Sequence, residues 1–197
     1  MRLLLLIFFL TFNFQSSTFA DDIRDFEIEE ISLGSSLLDF FTEDQISKGR
    51  YILTQAKDHK EYSKINLEKL KEIDLYDRLS ASFKSNDKTY KVITVEGIIW
   101  YRDDIDSCLK KRDEIIKQLS SSFQNNEYEE IKQKHFLDDK SFTYDYYVFF
   151  GKKENWPVDH ILVSCYDWSE DLEYWDHLRV GIVSEEYMHW LTKIAEN

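Results

Sequence analysis

Apolar positions change period along this chain, and each change marks an element. The clearest helical period follows Trp100-Tyr101, where Ile105, Leu109, Arg112, Ile116, Leu119 and Phe123 recur at spacings of three and four, with Cys108 beside the stripe. That spacing predicts an amphipathic helix, and Asp103, Asp104 and Asp106 stand in its first turn, where the macrodipole favours acids. Three later runs, Phe142 to Phe150, His160 to Trp168 and Trp175 to Val183, have the β-branched and aromatic density of strands. Centring the last connection on Asp171-Leu172 sets Cys165 opposite Leu178, Val163 opposite Val180 and Ile161 opposite Ile182. A whole apolar face falls into line in that register. Ser184 then caps a closing helix that has Glu185 and Glu186 in its first turn.

The earlier part of the chain is patterned less sharply. Phe26 to Ile31 is a candidate strand, and Ser35 a candidate N-cap for a short helix carrying Leu37, Leu38, Phe40 and Phe41. Thr42-Glu43-Asp44-Gln45 is a capping-box pattern, with Gly49 suited to end the turn it starts. Residues 50 to 74 fit strand or helix equally. Tyr76 to Lys84 and Lys88 to Tyr101 flank Asn86-Asp87, which predicts a tight hairpin pairing Phe83 with Tyr90, Ala81 with Val92 and Leu79 with Thr94. Together the elements predict an α+β domain, an antiparallel sheet of five or six strands with the main amphipathic helix packed on one face.

The first twenty residues belong to a different class. A short positive end at Arg2, the apolar run Leu3 to Leu10, and small and polar residues before Ala20 make a secretory signal peptide with its cut after Ala20. Thr11, Asn13 and Gln15 interrupt the run short of the roughly twenty apolar residues a membrane span needs. The expected product is a single domain over residues 21–197, periplasmic or secreted, with no stable membrane anchor. Oxidising conditions then permit Cys108 and Cys165, the only two cysteines, to pair. That bridge would staple the main helix to the sheet.

Charge narrows the partners. With 38 acids against 25 bases the net charge is -13, and loss of Arg2 with the leader makes it -14. Nucleic acid and anionic lipid would meet a field of like sign, so a protein or envelope component, cationic by preference, is expected instead.

Few motifs carry chemistry. Asp159-His160 and Asp176-His177 invite a metal or base reading, but the register sets the two histidines roughly 20 Å apart, and neighbours along a strand face opposite ways. No nucleotide loop, nucleophile elbow or zinc signature occurs, so no cofactor, metal or catalytic residue is expected. A better lead is aromatic: Trp156, Tyr166, Trp168, Tyr174 and Trp175 fall within twenty residues. The register makes Trp168 and Trp175 opposite neighbours, beside Tyr166, Asp167 and Asp171. Flat rings next to acids suit a sugar or a basic side chain. Cross-strand pairs that only stabilise the hairpin are the competing reading.

Ile31-Ser-Leu-Gly-Ser-Ser-Leu-Leu-Asp-Phe-Phe41, Tyr76-Asp77, Tyr90 to Tyr101 with Gly97, the helix bearing Cys108, Cys165-Tyr166 and Glu186-Tyr-Met-His-Trp-Leu191 span most of the domain. In these the chain resembles a family of small exported proteins from AT-rich marine alphaproteobacteria that has no established activity. The resemblance implies export and a shared fold. The opening is also similar to that of small α+β outer-membrane assembly lipoproteins, without their lipidation cysteine. The expected function is a non-enzymatic envelope binding or accessory module. An acidic inhibitor of a cationic envelope hydrolase, and a carboxylate-dependent envelope hydrolase, are the alternatives.

Overall fold

The computed structural model describes residues 22–53, 60–135 and 137–195. The predicted leader, residues 1–20, lies outside them. Among the described residues one antiparallel sheet holds eight strands, not five or six: β1 (Arg50–Ile52), β2 (Tyr62–Asn66), β3 (Arg78–Lys84), β4 (Val92–Arg102), β5 (Glu127–His135), β6 (Asp138–Phe150), β7 (Asp159–Asp167) and β8 (Asp176–Val183). Their order is β1-β2-β3-β4-β8-β7-β6-β5. Three α-helices accompany them, α1 (Glu43–Gly49), α2 (Ile105–Ser122) and α3 (Glu185–Ala195). The chain thus runs helix then four-stranded meander twice, and the two meanders join edge to edge at the β4–β8 pair.

α2 is the predicted amphipathic helix. Asp104 caps it by accepting from the Ser107 N–H at 3.1 Å. Its stripe, with Cys108 and Leu119 buried, lies on β7 and β8. Cys108 and Cys165 form a disulfide with 6.0 Å between Cα atoms, and both are fully buried. The β7–β8 register is the predicted one, Cys165 facing Leu178, Val163 facing Val180 and Ile161 facing Ile182. Those residues join Ile65, Ala81, Val95 and Tyr146 in the main core on the first face of the sheet. α3 lies on the second face, where Trp190 packs on Tyr62 and beside Ile93.

Three local expectations are corrected. Phe26 to Ile31 is not a strand: Glu29 and Glu30 both have positive φ, 53° and 70°, and Ile28 and Ile31 exchange backbone hydrogen bonds across them. That primed-turn geometry folds the segment back on itself and buries both isoleucines. Ser36, not Ser35, caps the following short turn, a 3-10 helix over Leu37–Asp39. The Thr42 to Gln45 capping box forms as expected and starts α1.

The β3–β4 hairpin is the most consequential correction. Ala81 faces Val95 and Leu79 faces Gly97, three residues beyond the predicted register. Asp87 explains the longer loop, since its carboxylate accepts from the Thr89 N–H at 2.8 Å, the Thr89 hydroxyl at 2.7 Å and the Lys91 N–H at 3.1 Å. Asp87 therefore organises five residues instead of two. Phe83 pairs with Val92 and Ser82 with Thr94, leaving Ile93 as an extra residue in a bulge. That extra residue reverses the alternation: Val92 and Val95 both enter the main core, while Thr94 and Glu96 turn to the second face. Residues 50 to 74, ambiguous in sequence, supply β1, β2 and a 3-10 turn over Leu67–Lys69, with 54–59 outside the described residues.

Gly97 is where β4 accepts the Tyr76 ring. A Cβ at this position would lie 2.3 Å from Tyr76 Cδ1. Gly97→Ala is expected to destabilise by about 2 kcal/mol through overpacking. Chemical denaturation measures it, and a Tyr76→Ala background, which opens the space, should suppress the difference.

Candidate functional site

The middle of the second face is polar yet buried, where the open face of an antiparallel sheet would carry solvated side chains. Strand register brings its residues together: Arg179, Ser164 and Asp145 form one row across β8, β7 and β6, and His177, Tyr166 and Thr143 form the next. Glu96, turned to this face by the bulge, reaches the same floor from β4. A groove of about 320 Å³ lies over Glu96, Arg179, Asp145, Tyr166 and Thr143, walled by α3 and by Tyr147 and Trp156.

Glu96 binds two cations. Lys64 Nζ is 2.7 Å from its Oε1 and Arg179 Nη2 is 3.0 Å from its Oε2, with the glutamate side chain 10% exposed. Burial alone would raise its pKa, but Arg179 and Lys64 outweigh burial and hold the carboxyl at about 2. Glu96 in turn raises the pKa of Arg179, whose Nη1 also donates to the Tyr166 hydroxyl at 3.3 Å. Asp145, 4% exposed, accepts from Thr143 Oγ1 at 2.9 Å, from Gln133 Nε2 at 2.8 Å and from the Ser164 hydroxyl. Glu96 is thus ion-paired and Asp145 hydrogen-bonded, while the buried Nε of Arg179 has no hydrogen-bond partner among the described residues.

Spare hydrogen-bonding capacity sits in the walls. His160 is 2% exposed, its Nδ1 is 2.9 Å from the Val158 carbonyl, and burial lowers its pKa to about 4. Its ring is consequently neutral near pH 7 and donates through Nδ1, and the residue is one of those lining the groove. The rings of Tyr147 and Trp156 stand 5.7 and 5.0 Å from it. Burial also raises the pKa of Tyr147, so its hydroxyl stays protonated and able to donate.

At the other end of the groove the predicted aromatic cluster is partly assembled. Tyr166 stacks on His177 at 4.4 Å, and Trp168 lies 4.4 Å from His135 and 4.8 Å from Tyr174. Trp175 stands apart, against Trp100 and under Arg102. β7 ends at Asp167 and β8 begins at Asp176, so Trp168 and Trp175 fall outside the ladder, and the Trp168 N–H donates to the Asp176 carboxylate at 2.8 Å. Asp167 receives the Tyr144 hydroxyl at 3.5 Å, and Asp171 pairs with Lys140. Neither acid belongs to the groove lining.

Comparison with protein-family models, curated proteins and solved structures finds no match. The groove must therefore be read from its chemistry. His160 and His177 share the second face but make no pair with Asp159 or Asp176: Asp159 instead accepts from the Glu185 N–H at 2.6 Å. Among the described residues no group of three or more His, Cys, Asp or Glu side chains is arranged to hold a metal ion, and no helix is long and apolar enough to cross a membrane.

Sequence reasoning missed Glu96, Asp145, Tyr147, His160 and Arg179 as one constellation. One signal was present: Glu96 and Arg179 are charged residues inside strand runs that are otherwise apolar.

Proposed function

We propose that the protein is an exported, non-enzymatic envelope binding module that takes an uncharged, hydroxyl-rich ligand, a neutral saccharide unit, in the groove on its second face. The observation that carries this reading is the pairing of Glu96 with Arg179 and Lys64 beneath walls of polar atoms and ring faces. An anionic ligand would have to displace Glu96 from Arg179 and Lys64, and the Asp145 carboxylate is already held by three neutral donors, Thr143, Gln133 and Ser164. A neutral ligand with hydroxyls and an apolar C–H face uses what is left: Tyr147 and Trp156 to stack, Tyr166 and His160 to hydrogen-bond. Burial at about 320 Å³ fits a small ligand. The leader pattern and the disulfide support an oxidising, exported location.

A carboxylate-dependent hydrolase draws less support. A general acid needs a proton near neutral pH, and Glu96 is held ionised down to about pH 2. The acidic-inhibitor reading loses part of its surface, because Lys140 and the Trp168 N–H already engage Asp171 and Asp176.

Calorimetric titration of the oxidised protein tests the proposal, using neutral oligosaccharides of varied linkage and a basic peptide, each at low and high salt. A neutral oligosaccharide should bind with little salt dependence, and Trp156→Ala should weaken it about tenfold through lost stacking. Binding confined to the basic peptide and abolished by salt would replace the proposal with the inhibitor reading.

A further inference from the structure

We infer that the edge of the sheet at β5, the last strand in its order among the described residues, is a self-recognition surface, and that its partner is the β5 of a second copy of this chain. β5 ends the strand order, is nine residues long and is exposed along most of its length. An edge of that length offers a row of backbone donors and acceptors to another strand, and natural sheets guard such edges.

The sequence of this edge, Glu127-Tyr-Glu-Glu-Ile-Lys-Gln-Lys-His135, is complementary to its own reverse. Two identical antiparallel strands are related by a two-fold axis perpendicular to the sheet, so one residue must face its own copy. With Ile131 at the axis, Glu130 faces Lys132, Glu129 faces Gln133, Tyr128 faces Lys134 and Glu127 faces His135, each twice. No like charges meet in that register. Moving the axis one residue either way brings Glu130 against Glu130 or Lys132 against Lys132, and such pairs destabilise a ladder. Edge charges that repel foreign strands thereby select one register of one partner.

Perpendicular two-fold symmetry also keeps the faces in common. The second faces of both copies become continuous, and Gln133 and His135, which line each groove, approach the two-fold from either side. This inference stands whether or not the groove takes a saccharide.

Sedimentation equilibrium of the oxidised protein tests it. The wild type should be a reversible dimer. Lys132→Glu, which sets two glutamate pairs across the axis, should raise the dimer Kd about tenfold or more. Adding Glu130→Lys to that variant should restore dimerisation, whereas Lys110→Glu, the same charge change on the exposed side of α2, should leave it unaltered. A wild type that stays monomeric, or a dimer indifferent to Lys132→Glu, would overturn the inference. Far-UV circular dichroism of each variant confirms that folding is retained, because Glu130 also pairs with Arg112 within its own chain.

Discussion

Replacing Cys108 and Cys165 together by alanine is expected to lower the unfolding free energy by about 4 kcal/mol. The bridge spans a sequence separation of 57 residues, and the chain-entropy model assigns about that much to closing such a loop in the unfolded state. Two features of the fold support the full effect. Both cysteines are fully buried, so their loss also removes packing where α2 meets β7. The bridge also ties α2, which opens the second helix-and-meander unit, to a strand near the end of that unit. For a domain of this size the change corresponds to a melting temperature lower by roughly 10 °C. Thermal and urea unfolding of the oxidised wild type and the double variant give the number. Equal stabilities would mean that the bridge constrains nothing the fold does not already fix.

Removing the charge of Glu96 is expected to cost about 3 kcal/mol. Glu96→Gln keeps the shape but leaves Lys64 and Arg179, whose side chains are 20% and 29% exposed, without their shared counter-ion. Breaking one partner of such a buried network costs far more than replacing all of it. Glu96→Gln combined with Lys64→Met and Arg179→Met should therefore recover part of the loss, and the single and combined variants make an interaction cycle. The sign of the pH dependence follows from the same contacts. Glu96 titrates at about 2 in the folded chain against an ordinary 4.5, so its stabilisation is complete above about pH 4.5. It is lost as pH falls from there towards 2. The wild type should lose stability across that window by about 3 kcal/mol more than Glu96→Gln does.

Much of the fold could be read in the residues because several elements carry redundant signals. α2 has period, acidic first turn and cap in agreement. The β7–β8 ladder has only one register that aligns Ile161, Val163 and Cys165 with an apolar partner face. β5 was illegible for the opposite reason: as an exposed edge strand its only strong apolar signals are Ile131 and Tyr128, and it reads as a solvated loop. The β3–β4 register failed on one carboxylate, since Asp87 looked like half of a two-residue turn and instead organises a longer loop. That slip hid the site. With Thr94 on the core face Glu96 would share that face, and only the bulge at Ile93 puts both over the polar floor. Of the residues singled out in advance, Tyr166 and Trp168 do meet at one end of the groove. Trp175, Asp167 and Asp171 serve the strand ends around it. The groove combines β4, β6, β7, β8 and α3, and such long-range convergence leaves no local spacing to find.

The most direct test of the proposed binding site is an amide and tryptophan-indole chemical-shift titration of the isotope-labelled, oxidised protein with a neutral oligosaccharide. The account predicts saturable shifts concentrated at Thr143, Tyr147, Trp156, His160 and Tyr166, all on the second face of the sheet. Shifts confined to the Asp171 loop, to the α2 face or to no residue at all would contradict it.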